Sequence, residues 1–331
     1  MLSCALAVST STGAGAVTSD SPSVPNWPRI PTPTTTATIP GTSCPAFPAD
    51  NYWHADISRL AVNARSSQWL SHMSASSRRL HADFGPSYGA QPVPYGIPIT
   101  VVSNAAKVSV TFGYADESDK VGYPLSTSTT IEGGWNATGD RHAIVVDAAS
   151  CRLYETWDTH LYASGWYAGS GATWLLTSDA LRPAGWTSAD AAGLPILPGL
   201  LRYDEVARGV VDHAIRFTTN ATDRAYVWPA RHSAGSVSDH SYPPMGARFR
   251  LKASFDISHY STQAQVVLRA MKKYGLVLAD NGSPWYFQGT SDTRWSSDLV
   301  SALGQVPASA FEAVDTAPLM VSSSSGAAKK L

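Results

Sequence analysis

Apolar residues in this chain come in short β-branched runs closed off by Gly, Pro or Asn, and that punctuation points to a β-rich fold. Ile99-Thr100-Val101-Val102 and Val108-Ser109-Val110-Thr111-Phe112 are flanked in this way. β-Branched side chains are stiff in helices and pack well on a pleated surface, while Gly and Pro interrupt the ladder. Arg141 to Asp147 and Arg152 to Trp157 flank Ala148-Ala149-Ser150-Cys151, the pattern of a hairpin. Gly193-Leu194-Pro195-Ile196-Leu197-Pro198-Gly199 is apolar but holds two prolines, which cannot donate to a ladder. It is expected to be a rigid buried crossing or an edge segment. The fold class expected is mainly β, a single β-sandwich or jelly-roll-like domain with a peripheral α-helix.

That helix is predicted at about 262–274. Thr262 as N-cap with Gln265 three residues on forms a capping box. Ala264, Val267, Leu268 and Met271 then share one apolar face. Lys272 and Lys273 suit the negative end of the helix dipole, and Gly275 suits a left-handed stop.

A chain of 331 residues can bury a sizeable core. Residues 1–16 read as a truncated signal segment: Met1 to Val8 is apolar and Ala14-Gly15-Ala16 resembles a cleavage site, without a charged n-region. A lipoprotein signal ending at Cys4 is the alternative. Residues 17–43 are a Ser/Thr/Pro-rich linker, 44–316 a single β-rich domain, and 317–331 a disordered tail. No other apolar run approaches the ~18 residues of a membrane span. With Cys4 removed, Cys44 and Cys151 form an even pair, expected to be a disulfide in an oxidising compartment.

The net charge of −1 gives no field for gathering nucleic acid, which is excluded as a partner. Only 15% of the residues are charged, yet ionisable groups crowd among Tyr and Trp between Leu194 and Gly282. Such grouping suggests a binding or catalytic face. The chain holds 11 Trp and 14 Tyr, residues that stack on sugar faces and hydrogen-bond their hydroxyls. Strand alternation places Val211, His213, Ile215 and Phe217 on one face and Asp212, Ala214, Arg216 and Thr218 on the other. It likewise separates Ala247, Phe249, Leu251 and Ala253 from Arg248, Arg250 and Lys252. Those cations suit an acidic polysaccharide or a solvated face balanced by carboxylates. Asp204 looks like the N-cap of a short turn. Adjacent Asp204 and Glu205 cannot act together as a glycosidase pair, so one of them is expected to partner Asp280, Glu155 or Asp158. His213, His232 and His240 match no short metal motif, and no metal or cofactor is expected. Nucleophile-elbow, zincin, P-loop and dinucleotide fingerprints are missing from the sequence.

Gly139-Asp140-Arg141-His142, Leu194 through Glu205, Trp228-Pro229-Ala230-Arg231-His232, Pro243-Pro244-Met245-Gly246 and Ala279-Asp280-Asn281-Gly282 resemble phrases in a group of secreted bacterial β-rich proteins with no assigned activity. The resemblance covers most of 44–316 and implies a single exported module. The function expected is a secreted, extracellular, monomeric enzyme cleaving glycosidic bonds of a polysaccharide or oligosaccharide, with hydrolysis favoured over elimination. Asp204, Glu205, His213 and Asp280 are the catalytic candidates. Tyr203, Arg216, Trp228, His232, Arg248 and Arg250 are the substrate-binding ones, and Tyr203 would be the acid in a lyase. The competing class is a non-catalytic, lectin-like glycan-binding module.

Overall fold

A computed structural model describes residues 38–88 and 93–331. Strand outweighs helix by 28% to 16%, as the β-branched runs require. The larger sheet has six strands in the order His81–Asp83, Tyr286–Gln288, Ile215–Thr219, Leu276–Asn281, Arg248–Leu251, Phe311–Val314. A second sheet has four, ordered Ser170–Leu175, Arg152–Trp157, Ala143–Asp147, Ile99–Val102. A third pairs Val110–Phe112 with Gly165–Ala168 and then His160–Tyr162. The sheets are mixed and do not close into a barrel; Ile215–Thr219 runs parallel to Leu276–Asn281, and Ile99–Val102 parallel to Ala143–Asp147. An all-antiparallel jelly roll would contain no such pairs.

The four-stranded sheet is buried on both faces. Alternation sends Ile144, Val146, Leu153, Ala172 and Trp174 into the main core, and Ala143, Val145 and Tyr154 into a smaller one shared with Phe112, Tyr123 and Trp166 of the third sheet and its neighbourhood. The hairpin forms as expected, with Asp147 opposite Arg152. Asp147 holds its turn by accepting from the amides of Asn104 and Ala149 and from Ser150 Oγ. The proline tract is a buried crossing: Ile196 and Leu197 donate their amides to the Glu155 carboxyl at 2.8–3.0 Å.

The helix spans Thr262–Lys273, and Ala264, Val267, Leu268 and Met271 are fully buried against the Arg248–Leu251 strand and neighbouring helices. Its N-cap is Ser261, one residue earlier than expected, with Oγ accepting from Ala264 N. Gln265 turns back instead to the carbonyls of Tyr260 and Ser258. Gly275 has φ +74°, and a Cβ there would lie 2.3 Å from the Phe249 carbonyl oxygen.

Both edges of the expected domain move outward. The signal segment 1–16 and the linker up to 37 lie outside the described residues, but Ile39 is fully buried and its amide donates to Cys44 O at 2.8 Å. Residues 317–331 are not a disordered tail. Leu319 is buried, Met320 pairs with Ala328, and Asn51 pairs with Ala327. Serine-rich composition misled the reading because these residues satisfy their backbone against the body rather than burying large side chains.

Cys44 and Cys151 are bonded, with Cα atoms 5.3 Å apart and a sequence separation of 107. Replacing both by Ala is expected to lower stability by about 2–4 kcal/mol, because the open chain regains loop freedom when unfolded. Denaturant titration of the double variant beside the oxidised protein checks this; equal midpoints would refute it.

Candidate functional site

The site grows from the parallel pair Ile215–Thr219 and Leu276–Asn281. Phe217 pairs with Leu278, but Thr218 pairs with Asp280, so Ala279 is an extra residue in the ladder. Such a bulge flips the faces that follow it. Unbroken alternation would put Asp280 with Leu276 and Leu278; the bulge puts it on the face of Arg216 and Val277. Arg216 Nη2 accordingly lies 3.6 Å from Asp280 Oδ2. The carbonyl of Ala279 is free to accept from Ala192 N at 2.8 Å, which ties the strand to the loop carrying Asp190.

Asp190 is fully buried and takes two bonds from Arg216, Nη2 to Oδ1 at 2.8 Å and Nε to Oδ2 at 3.1 Å. Ser188 Oγ braces this loop through Asp190 N and O and Leu194 O. Burial raises the Asp190 pKa even against Arg216, and the Asp280 carboxyl is its hydrogen-bonding neighbour. Burial and the charge of Asp190 together push Asp280 up to about 7, with Arg216 opposing. Asp280 keeps 25% side-chain exposure where Asp190 has none, so only Asp280 reaches solvent. Behind them, burial would lower the His142 pKa, but Glu132 beside it raises it to about 9. His142 Nε2 faces the Ala189 carbonyl at 3.2 Å, bracing the same loop.

Asp280 opens into a cleft of about 280 Å³ that also holds Asp140, Glu117, His232, Tyr114 and Trp157. Trp157 Nε1 donates to Asp140 Oδ1 at 3.3 Å, and Thr187 N donates to Glu117 Oε2 at 2.9 Å. His232 gives its Nδ1 proton to Ala191 O at 2.8 Å, leaving Nε2 3.9 Å from Glu117 Oε2. Tyr114 and Trp157 form a tilted pair with centroids 6.3 Å apart. The arrangement combines a carboxyl protonated near neutrality, two further carboxylates and aromatic faces.

Of the residues expected from sequence, Asp280, Arg216 and His232 meet here. The others lie elsewhere. Asp204 is not an N-cap: the helix Tyr203–Arg208 begins after Arg202, and Asp204 pairs at the surface with Arg294 at 2.7 Å. Tyr203 packs edge-on against Trp295 and beneath the Arg294 guanidinium. Glu205 and His213 do meet, at 3.0 Å, but both are buried, and Arg202 pairs with the same carboxylate. A lyase base at His213 has no route to substrate. Arg248 spends its guanidinium on the carbonyls of Tyr52, Ala55 and Tyr274. Arg250 serves Glu312 and the carbonyls of Ile57, Ser58 and Leu60. These cations satisfy an N-terminal segment with little regular structure, a need that strand alternation does not reveal. Trp228 donates to Ser325 O at 2.9 Å and holds the C-terminal segment. None of the carboxylates expected to partner Asp204 or Glu205 does so: Glu155 holds the proline tract, Asp158 pairs with His160 at 2.8 Å, and Asp280 lies beside Arg216. His240 pairs with Asp223, so the three histidines have separate partners, and no group of three metal-ligating side chains gathers among the described residues.

Sequence reading missed Asp190, Glu117 and the Glu132–His142 pair. Asp190 carried no local signal, since Ser188-Ala189-Asp190-Ala191-Ala192 reads as an ordinary loop and its burial depends on Arg216 from a distant strand.

A change at Glu205 separates fold from function. Burial alone would raise its pKa, but Arg202 and His213 lower it to about 2. Its stabilisation is therefore present above the unfolded carboxylate pKa of about 4.3 and is lost as pH falls toward 2. Glu205→Gln is expected to cost several kcal/mol at pH 7, with the deficit shrinking in acid, whereas Asp204→Asn changes stability by less than about 1 kcal/mol. Melting both variants from pH 7 to pH 3 checks this, and equal effects would refute it.

Comparison of the chain with family models, curated proteins and solved structures finds no match. Fold and cleft together define a disulfide-bonded, mainly β domain with a carboxyl-rich site. No helix among the described residues is long and apolar enough to cross a membrane.

Proposed function

We propose that the chain is a secreted carbohydrate-active enzyme that hydrolyses glycosidic bonds in the Asp280 cleft. The observation that carries this reading is Asp280, a carboxyl with pKa about 7 open to a cleft that also holds Asp140 and Glu117. Glycoside hydrolysis needs one carboxyl group protonated at neutral pH to donate to the leaving oxygen, and a second one ionised to activate water or attack the sugar. Asp280 takes the first role, and Asp140 or Glu117 the second. Arg216 and Asp190 position Asp280, while Tyr114 and Trp157 supply faces for a sugar ring. The disulfide suits an oxidising compartment, which supports an extracellular location.

Incubation of the purified protein with a polysaccharide panel tests the reading. New reducing ends that vanish in Asp280→Asn support it. Retention on a glycan without products would favour a lectin-like module, and an unsaturated product would mean elimination. Neither binding nor cleavage across the panel would remove carbohydrate altogether.

A further inference from the structure

A groove of about 650 Å³ lies across a thin wall from the cleft. Tyr114, Glu117 and Thr187 face the cleft, while their chain neighbours Ala115, Asp116 and Trp186 face the groove. Arg182 builds that wall. Its guanidinium sits 5.7 Å from the Trp174 ring and 5.5 Å from the Trp186 ring. It donates to Thr187 O and Glu117 O, both at 2.8 Å, and to Asp119 Oδ2 at 2.7 Å. Arg182 is therefore fully engaged, and it fixes the indoles of the groove together with the backbone that presents Glu117 to the cleft.

Arg152 differs. It is half-buried in the groove, and among the described residues its guanidinium has no hydrogen-bond or ion-pair partner. Leu175, opposite it in the ladder, is 40% exposed and lines the same groove. Lys120 is 65% exposed and, among the described residues, pairs with the fully exposed Asp116 alone, at 3.7 Å. Water screens such a pair, so its charge is available to a ligand.

We propose that this groove binds a carboxylate-bearing sugar unit of the same polymer whose bond is cleaved in the adjacent cleft, an assignment that rests on the hydrolase reading. The half-buried indole of Trp186 offers a stacking face. The Arg152 guanidinium matches a carboxylate with two parallel N–H donors, and Lys120 adds a second cation. A neutral sugar offers Arg152 only uncharged hydroxyl acceptors, which bind a guanidinium more weakly than a carboxylate, so the groove selects for charge while the cleft performs the chemistry.

The test uses the whole chain with polygalacturonate, glucuronoxylan, alginate and hyaluronan, each beside its carboxyl-reduced form. Binding and cleavage are measured for the parent protein, Arg152→Gln, Trp186→Ala and Asp280→Asn, with melting curves as folding controls. At least one acidic polymer should bind about tenfold or more tightly than its reduced form. Arg152→Gln should abolish that preference and leave affinity for the reduced polymer unchanged; Trp186→Ala should weaken both forms. The groove assignment is overturned if no acidic polymer is preferred or if Arg152→Gln keeps the parent ratio. Failure of the hydrolase reading looks different: Asp280→Asn then leaves products unchanged, or no products form, while the Arg152-dependent preference persists.

Discussion

Asp280→Asn is expected to lower turnover on the cleaved polysaccharide by about 10²–10⁴-fold while glycan binding persists, because the amide keeps the shape but donates no proton to the leaving oxygen. Stability should move the other way. Asp280 titrates at about 7 in the folded chain, whereas an unfolded Asp titrates near 3.9. Between those values the folded state holds the proton that the unfolded state releases, so stability falls as pH rises, and the full cost is present above pH 7. The neutral amide escapes that cost. Asp280→Asn should thus melt higher than the parent at pH 8, with the advantage fading toward pH 4. A loss of melting temperature matching the loss of activity would show Asp280 to be structural.

Arg216→Met is expected to destabilise the fold by about 3–5 kcal/mol at pH 8, since it removes the partner of a fully buried carboxylate. It also removes the cation that holds down both Asp190 and Asp280. Both pKa values should climb further, so the penalty grows with pH above about 4 and is smallest in acid. Whatever activity remains should peak at higher pH than in the parent, because Asp280 keeps its proton longer. Replacing Asp190 by Leu in the same chain should recover much of the stability, since two apolar groups leave no unpaired charge. A flat pH dependence of the penalty, or no recovery in the double variant, would show that the pair is not coupled as described.

The elements legible in the sequence are those set by local rules. The 143–157 hairpin, the buried proline tract and the apolar face of the 262–273 helix follow from alternation, Pro chemistry and helical spacing. Parallel pairing was not legible, because it joins segments such as Ile99–Val102 and Ala143–Asp147 through a crossover that leaves no local mark. The cysteine pair was found by parity alone. In the site, Asp280, Arg216 and His232 stood out as ionisable groups in a segment rich in aromatic residues. Their association depends on the bulge at Ala279, where plain alternation gives Asp280 the wrong face. Arg248 and Arg250 were misread for the opposite reason: their partners are mainly backbone carbonyls, which have no side-chain signature.

Those two arginines also dictate when the chain can fold. Residues 52–60 hang on guanidinium groups almost two hundred positions downstream, and Cys44 waits for Cys151. Tyr52 donates to Gly326 O, and Ala328 donates to Asp50 O, so the two ends of the described body clasp each other. A chain emerging N-terminus first therefore carries residues 52–60 without these guanidinium partners until 248–250 have appeared, and the clasp at Asp50 and Tyr52 waits for 326–328. Non-local topology of this kind folds slowly and leaves edges exposed meanwhile. Losing the contacts of residues 322–331 would strip the clasp from Asp50 and Tyr52 at the other edge of the described body.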